Sequence, residues 1–126
     1  MLLIFDFSVE STWERTQKKV MVRIEEITEK IQAGFYEFSK HAVDQSIIRD
    51  ISVQEIQEAF EHAEIIEDYT NDKYGPSCLI LGFTARKRPL HIQCSYPSRP
   101  LVKIITLYEP DPDRWIDYKK RTGHAD

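Results

Sequence analysis

The hydrophobic period of this chain changes once, near Glu64, and that change limits what it can fold into. Before it, apolar residues recur every three or four positions, as the buried stripe of a helix requires; after it they alternate, as the two faces of a strand require. The alternating part divides into Glu64–Tyr69, Ser77–Thr84, Pro89–Tyr96 and Leu101–Glu109. The links Asn71 to Pro76, Ala85 to Arg88 and Pro97 to Pro100 are short and rich in turn residues. A parallel connection needs roughly a dozen residues or more, so these links predict antiparallel neighbours. Asp111-Pro112 then reads as N-cap and first-turn proline of a closing helix ending near Arg121. The expected fold is α+β, with N-terminal helices followed by a four-stranded antiparallel sheet and a short C-terminal helix.

In the helical part, Ser11 and Glu14 have capping-box spacing, and Trp13, Val20, Ile24, Ile27 and Ile31 follow at helical intervals until Gly34. A stripe this narrow either covers the domain's core or meets a partner helix, which leaves a homodimer through this helix open. Tyr36-Glu37-Phe38 is short and can be extended, and Ser39 can cap a helix running to about Arg49. Ser52 with Glu55 forms a second capping box, Ile51 and Ile56 are spaced as a hydrophobic staple, and Val53, Ile56, Phe60 and Ala63 make the apolar face. With 126 residues, 41% of them hydrophobic, the chain suits one core. Within it, residues 1–34 read as an N-terminal extension and 35–126 as the α+β body.

No apolar run approaches the roughly 18 to 20 residues of a membrane span, and Asp6 interrupts Met1–Phe5 too early for a secretory signal, so a cytoplasmic protein without membrane association is expected. Cys78 and Cys94 sit in apolar, strand-like contexts and read as small buried hydrophobes, not a disulfide. With His91 they offer three zinc donors, but strand alternation turns His91 away from Cys94, and paired-cysteine spacing is missing; neither a metal nor a cofactor is expected. No Gly-rich phosphate loop is present.

The formal net charge of −4 conceals a division. From Asp44 to Asp72 there are nine acidic residues and one basic residue, Arg49; from Lys73 to Tyr108 there are six basic residues, Lys73, Arg86, Lys87, Arg88, Arg99 and Lys103, and no acidic one. Such a block either lines a phosphate-attracting surface or solvates the turns of a sheet. In the third strand His91, Gln93 and Ser95 oppose Leu90, Ile92, Cys94 and Tyr96. In the last, Thr106 and Tyr108 look out beside His91 if Leu101, Ile105 and Leu107 face the core, although Val102 and Ile104 then fall on the outer side. His41 and Arg49, eight residues apart on one helix, can join that face if the helix lies across the sheet's open face or edge. Cleaving RNA without a metal requires a base for the ribose 2′-hydroxyl, an acid for the leaving oxygen and cations on the phosphate; histidine and arginine suit these tasks. His62 is explained by a helix C-terminus and His124 by a tail.

Phe38-Ser39-Lys40-His41-Ala42, Arg49-Asp50-Ile51-Ser52 with Glu55-Ile56, Glu64–Tyr69, Ser77–Gly82, Arg88-Pro89-Leu90-His91-Ile92 and Ile104–Pro110 together resemble the domain-of-unknown-function family 4258, over about Tyr36 to Trp115. That family in turn looks like the small ribonuclease toxins of the RelE and barnase-like group. The resemblance implies a metal-independent endoribonuclease toxin acting on RNA and paired with a small cognate antitoxin protein. It places His41, His91, Arg49, Thr106 and Tyr108 at the family's polar positions, and these are the residues expected to be catalytic. Lys73, Arg86, Lys87, Arg88 and Lys103 are the residues expected to bind substrate. Members often carry an arginine four residues after the first histidine, where this chain has Gln45. That departure favours a second reading, a non-catalytic module that binds RNA or a protein on the same face.

Overall fold

A computed structural model describes residues 11–73 and 75–123, with the Val22 side chain left out. The readings of Met1–Asp6 and of His124 lie outside the described residues. Helix α1 spans Thr12–Ala33 and is closed at both ends by its own sequence. Ser11 Oγ accepts from the Glu14 N–H while the Glu14 carboxylate accepts from the Ser11 N–H, and Gly34 takes the left-handed conformation (φ 86°) that ends the helix. Strand β1 (Tyr36–Phe38), helix α2 (Lys40–Ile48) and helix α3 (Val53–Ala59), which continues as a 3₁₀ turn over Phe60–His62, follow. Ser39 and Ser52 cap α2 and α3 as expected. Removing the α3 cap by Ser52→Ala is expected to cost about 1 kcal/mol in a urea melt, because the Glu55 N–H loses its acceptor. An unchanged midpoint would mean that the cap contributes nothing.

Strands β2 (Glu64–Tyr69), β3 (Ser77–Phe83), β4 (Pro89–Ser95) and β5 (Val102–Tyr108) form an antiparallel meander, within a residue or two of the predicted boundaries. Two expectations are corrected. The sheet has five strands in the order β1-β5-β4-β3-β2 and is mixed, because β1 pairs parallel to β5. That pairing is allowed because most of the domain serves as the connection between the two strands. The C-terminal helix is replaced by a hairpin, β6 (Trp115–Ile116) with β7 (Lys120–Arg121). Asp111 does accept from a nearby N–H, that of Asp113, but the chain turns there instead of winding on. Asp117 (φ 52°) and Tyr118 (φ 64°) then supply the two left-handed residues of a tight hairpin turn.

The core lies between the helices and one face of the sheet. Ile27 and Ile31 of α1, Ala42 of α2, Ile56 of α3 and Phe60 pack with Cys78, Ile80, Leu90, Ile92, Cys94, Val102, Ile104 and Leu107. The C-terminal half of α1 therefore shares the core of the α+β body. Its first turns do not, and Trp13 and Met21 are exposed. Val53, expected on the buried face of α3, is also exposed. The difficulty over β5 is resolved by a bulge, where the pairing slips between Gln93↔Thr106 and Cys94↔Ile104. The extra residue changes the face count, so Val102, Ile104 and Leu107 all enter the core, and neither Leu101 nor Ile105 belongs to it. Among the described residues no helix is long and apolar enough to cross a membrane.

Candidate functional site

The bulge also decides what the opposite face displays. Because Gln93 pairs with Thr106 and His91 with Tyr108, these four residues share the face away from the core. Strand β1 ends after Phe38, and α2 takes its place along the edge of β5. Ser39 ties it there, with its N–H donating to the Ile104 carbonyl (2.9 Å) and its hydroxyl to the Ile105 carbonyl (2.8 Å). Ala42 then points into the core and His41 points over the sheet. The exposed His41 imidazole reaches Thr106, with Nε2 3.1 Å from Oγ1. Two groups 65 residues apart in sequence are thus joined by the helix start and the strand bulge.

Arg49 is placed differently. It caps the C-terminus of α2, eight residues and about 12 Å along the helix from His41. Its Nε donates to the Gln45 side-chain oxygen (2.7 Å). With Tyr108, Trp115 and Arg121 it lines an open cleft of about 960 Å³. Tyr108, two residues beyond Thr106 on the same strand face and so about 7 Å away, lies between the His41 pair and this cleft.

His91 is enclosed. It is wholly buried, with the Trp115 ring edge-on at 4.5 Å between centroids and the Tyr108 ring at 5.2 Å. Its Nε2 lies 2.6 Å from the Tyr118 carbonyl oxygen, which can only accept, so Nε2 carries the proton. Nδ1 is then the acceptor for the Tyr108 hydroxyl at 3.2 Å. Burial pushes the His91 pKa below its ordinary value, and burial likewise raises that of Tyr108. His91 is therefore a neutral buried group that clamps Tyr108 beneath the β6–β7 hairpin, and it does not reach the open surface.

The basic segment does not form one patch, because successive antiparallel strands send their turns to opposite ends of the sheet. Arg86, Lys87 and Arg88 lie at the β3–β4 end, and Lys73, Arg99 and Lys103 at the other. Arg88 is occupied by the fold: it donates to Glu55 (3.1 Å), Glu109 (2.8 Å) and the carbonyls of Arg49 (2.8 Å) and Asp50 (2.9 Å). It fastens the α2–α3 junction to the sheet and so sets the position of Arg49. Lys87 lines a recess with Glu58, Glu61 and His62, an acidic neighbourhood that does not attract phosphate. Lys103 lies on the open side of β5, two residues before Ile105 of the Ser39–Ile105 link. Cys78 and Cys94 face each other across β3 and β4 inside the core, on the face away from His91.

Sequence reasoning missed Arg121. Its guanidinium grips Glu67 through two bonds (2.8 and 3.0 Å) and stacks on Trp115 at 4.7 Å. Burial works to raise the Glu67 carboxyl, but the bonds from Arg121 and Tyr69 outweigh it and hold the group below its ordinary value. Trp115, Tyr118 and Arg121 all lie in the segment read as a helix, and nothing local to it says that it folds back over the sheet.

A compact mixed sheet with a short helix along its edge, presenting a histidine–threonine pair on the open face, defines a small α+β domain. The family model described as "Domain of unknown function (DUF4258)" matches residues 38–109, and the chain belongs to that family. No curated protein and no solved structure matches the chain.

Proposed function

We propose that this domain is a metal-independent endoribonuclease that acts on the open sheet face, as the toxin of a cytoplasmic toxin–antitoxin pair held in check by a small partner protein. The observation that carries the catalytic reading is the exposed His41 imidazole bonded to Thr106 on the sheet face away from the core. With Nε2–H donated to Thr106, the lone pair resides on Nδ1, which takes the proton of a ribose 2′-hydroxyl. The 2′-oxygen then attacks phosphorus and the bond to the 5′-oxygen breaks, leaving a 2′,3′-cyclic phosphate and a 5′-hydroxyl. Tyr108 is the group on the same face whose O–H, once turned from His91 Nδ1 to the departing oxygen, gives that oxygen its proton. Arg49 and Arg121 lie too far along α2 and β7 for that same phosphate and hold the chain at a neighbouring one.

A second reading, a non-catalytic RNA-binding module, draws on two observations: enclosure of His91 leaves a single imidazole on the face, and Arg49 already spends one donor on Gln45. Incubating the purified chain with mixed RNA in EDTA separates the two. Cleavage with cyclic phosphate ends is expected, slowed on the order of 10²- to 10⁴-fold in His41→Ala, as loss of a general base predicts. RNA that is retained but intact would establish the binding module instead, and RNA cut equally fast by His41→Ala would overturn His41 as the base.

A further inference from the structure

Beside the His41–Thr106 pair lies a cavity of about 390 Å³ that the mechanism above leaves unused. Its wall toward the pair is Ser39 and Ile105, the residues that tie α2 to β5. The remainder includes Asp72, Pro76, Ser95, Arg99 and Lys103. Two of its three serines are already engaged: Ser39 Oγ accepts from the Ala42 N–H (2.9 Å) and Ser95 Oγ from the Lys103 N–H (2.9 Å). Arg99 and Lys103 are not. Among the described residues neither side chain forms a hydrogen bond or ion pair, although the backbone carbonyl of Arg99 is held by Lys30 (2.6 Å). Two unpaired cations in one recess, whose wall includes the Ser39–Ile105 link that ties the helix of His41 to β5, form an arrangement suited to an anion near the reacting atoms.

The same recess limits which anion. Asp72 lines it, and Glu37 is the register partner of Lys103 across β1 and β5, so the local field is only weakly positive. That suits a singly charged phosphodiester and disfavours a polyphosphate. The volume is near the lower end of the roughly 300–1,000 Å³ of small-ligand pockets, room for one nucleotide but not a duplex. Pro76 and Ile105 offer an apolar surface for a base.

We infer that this cavity is a nucleotide subsite for single-stranded RNA, taking the phosphodiester next to the cleaved bond on Arg99 and Lys103; it rests on the reading of the face as RNA-cleaving. The test titrates the isotope-labelled full chain with a 2′-O-methyl dinucleotide, which carries one phosphodiester and cannot be cleaved, and separately with ATP. The dinucleotide is expected to move the amide resonances of Ser95, Lys103 and Ile105. Binding should weaken about tenfold or more in an Arg99→Gln/Lys103→Gln double variant, as loss of charge-assisted contacts predicts. Shifts confined to other residues, unchanged affinity in the double variant, or ATP binding tenfold tighter at the same amides would each overturn it. Two results separate this inference from the cleavage reading. Binding here by a chain that cuts no RNA leaves the subsite standing and the cleavage reading wrong. Cleavage with an unchanged KM in the double variant removes the subsite alone.

Discussion

Gly82→Ala is expected to cost about 3 kcal/mol or more, the upper range for overpacking, and to remove a large share of the roughly 5–15 kcal/mol that holds such a domain folded. Gly82 lies in β3 beneath the end of α3, where an added Cβ would fall 2.0 Å from the Ala59 carbonyl oxygen and 2.7 Å from its carbon. Both are backbone atoms, so the clash is relieved only by lifting α3 from the sheet. Glycine is required there for close approach and not for conformation. Gly34→Ala is the control. Open space surrounds Gly34, but its φ of 86° makes a side chain strained, and a smaller loss of about 1 kcal/mol is expected. Urea unfolding of both variants checks the ranking; a Gly82→Ala loss no larger than that of Gly34→Ala would refute the close packing of α3 on β3.

The second large effect concerns His91. His91→Ala is expected to cost about 3 kcal/mol near neutral pH, combining a large-to-small change in a closed site with two orphaned groups, the Tyr118 carbonyl and the Tyr108 hydroxyl. The same burial gives a pH signature. The folded state lowers the His91 pKa, so at mildly acid pH the unfolded chain binds more protons than the folded one. Stability is therefore complete above the ordinary histidine value of about 6.5 and is lost as pH falls through the lowered folded value. Glu67 and Arg121 face the ring with opposite effects, the carboxylate favouring and the guanidinium opposing its protonation. Unfolding free energies between about pH 7.5 and pH 5 should fall in the wild type and fall less in His91→Ala, since about 6.5 is the ordinary histidine pKa. Parallel curves would show that His91 is not held neutral. The experiment also guards the functional test, because loss of activity in His91→Ala follows from an undocked hairpin whether or not the ring takes part in chemistry. His41 is exposed, and its variant is free of that ambiguity.

Much of the architecture was legible because its signals are local. Ser11 with Glu14, Ser39, Ser52 with Glu55, and Gly34 mark helix ends through bonds made within a few residues, and all of them form as written. The strands from Glu64 to Tyr108 were legible because burial of one face imposes a period of two. The pairing of His41 with Thr106 was only half legible. Residue types and faces suggested it, but the contact needs α2 to replace β1 along the β5 edge and a bulge to turn Thr106 outward.

By itself the sequence determined where α1, α2 and α3 begin, which segments between Glu64 and Tyr108 are extended, and which face of β4 is apolar, since capping, turn chemistry and hydrophobic period all act within a few residues. Only the tertiary structure decided that Tyr36–Phe38 joins the sheet parallel to β5, that the last segment folds back as a hairpin, that His91 lies beneath Trp115 while His41 stays in water, and that Arg88 serves the fold. Each of these depends on which distant surface is left uncovered once the core has formed. That is a property of the packed whole, and no short window of residues contains it.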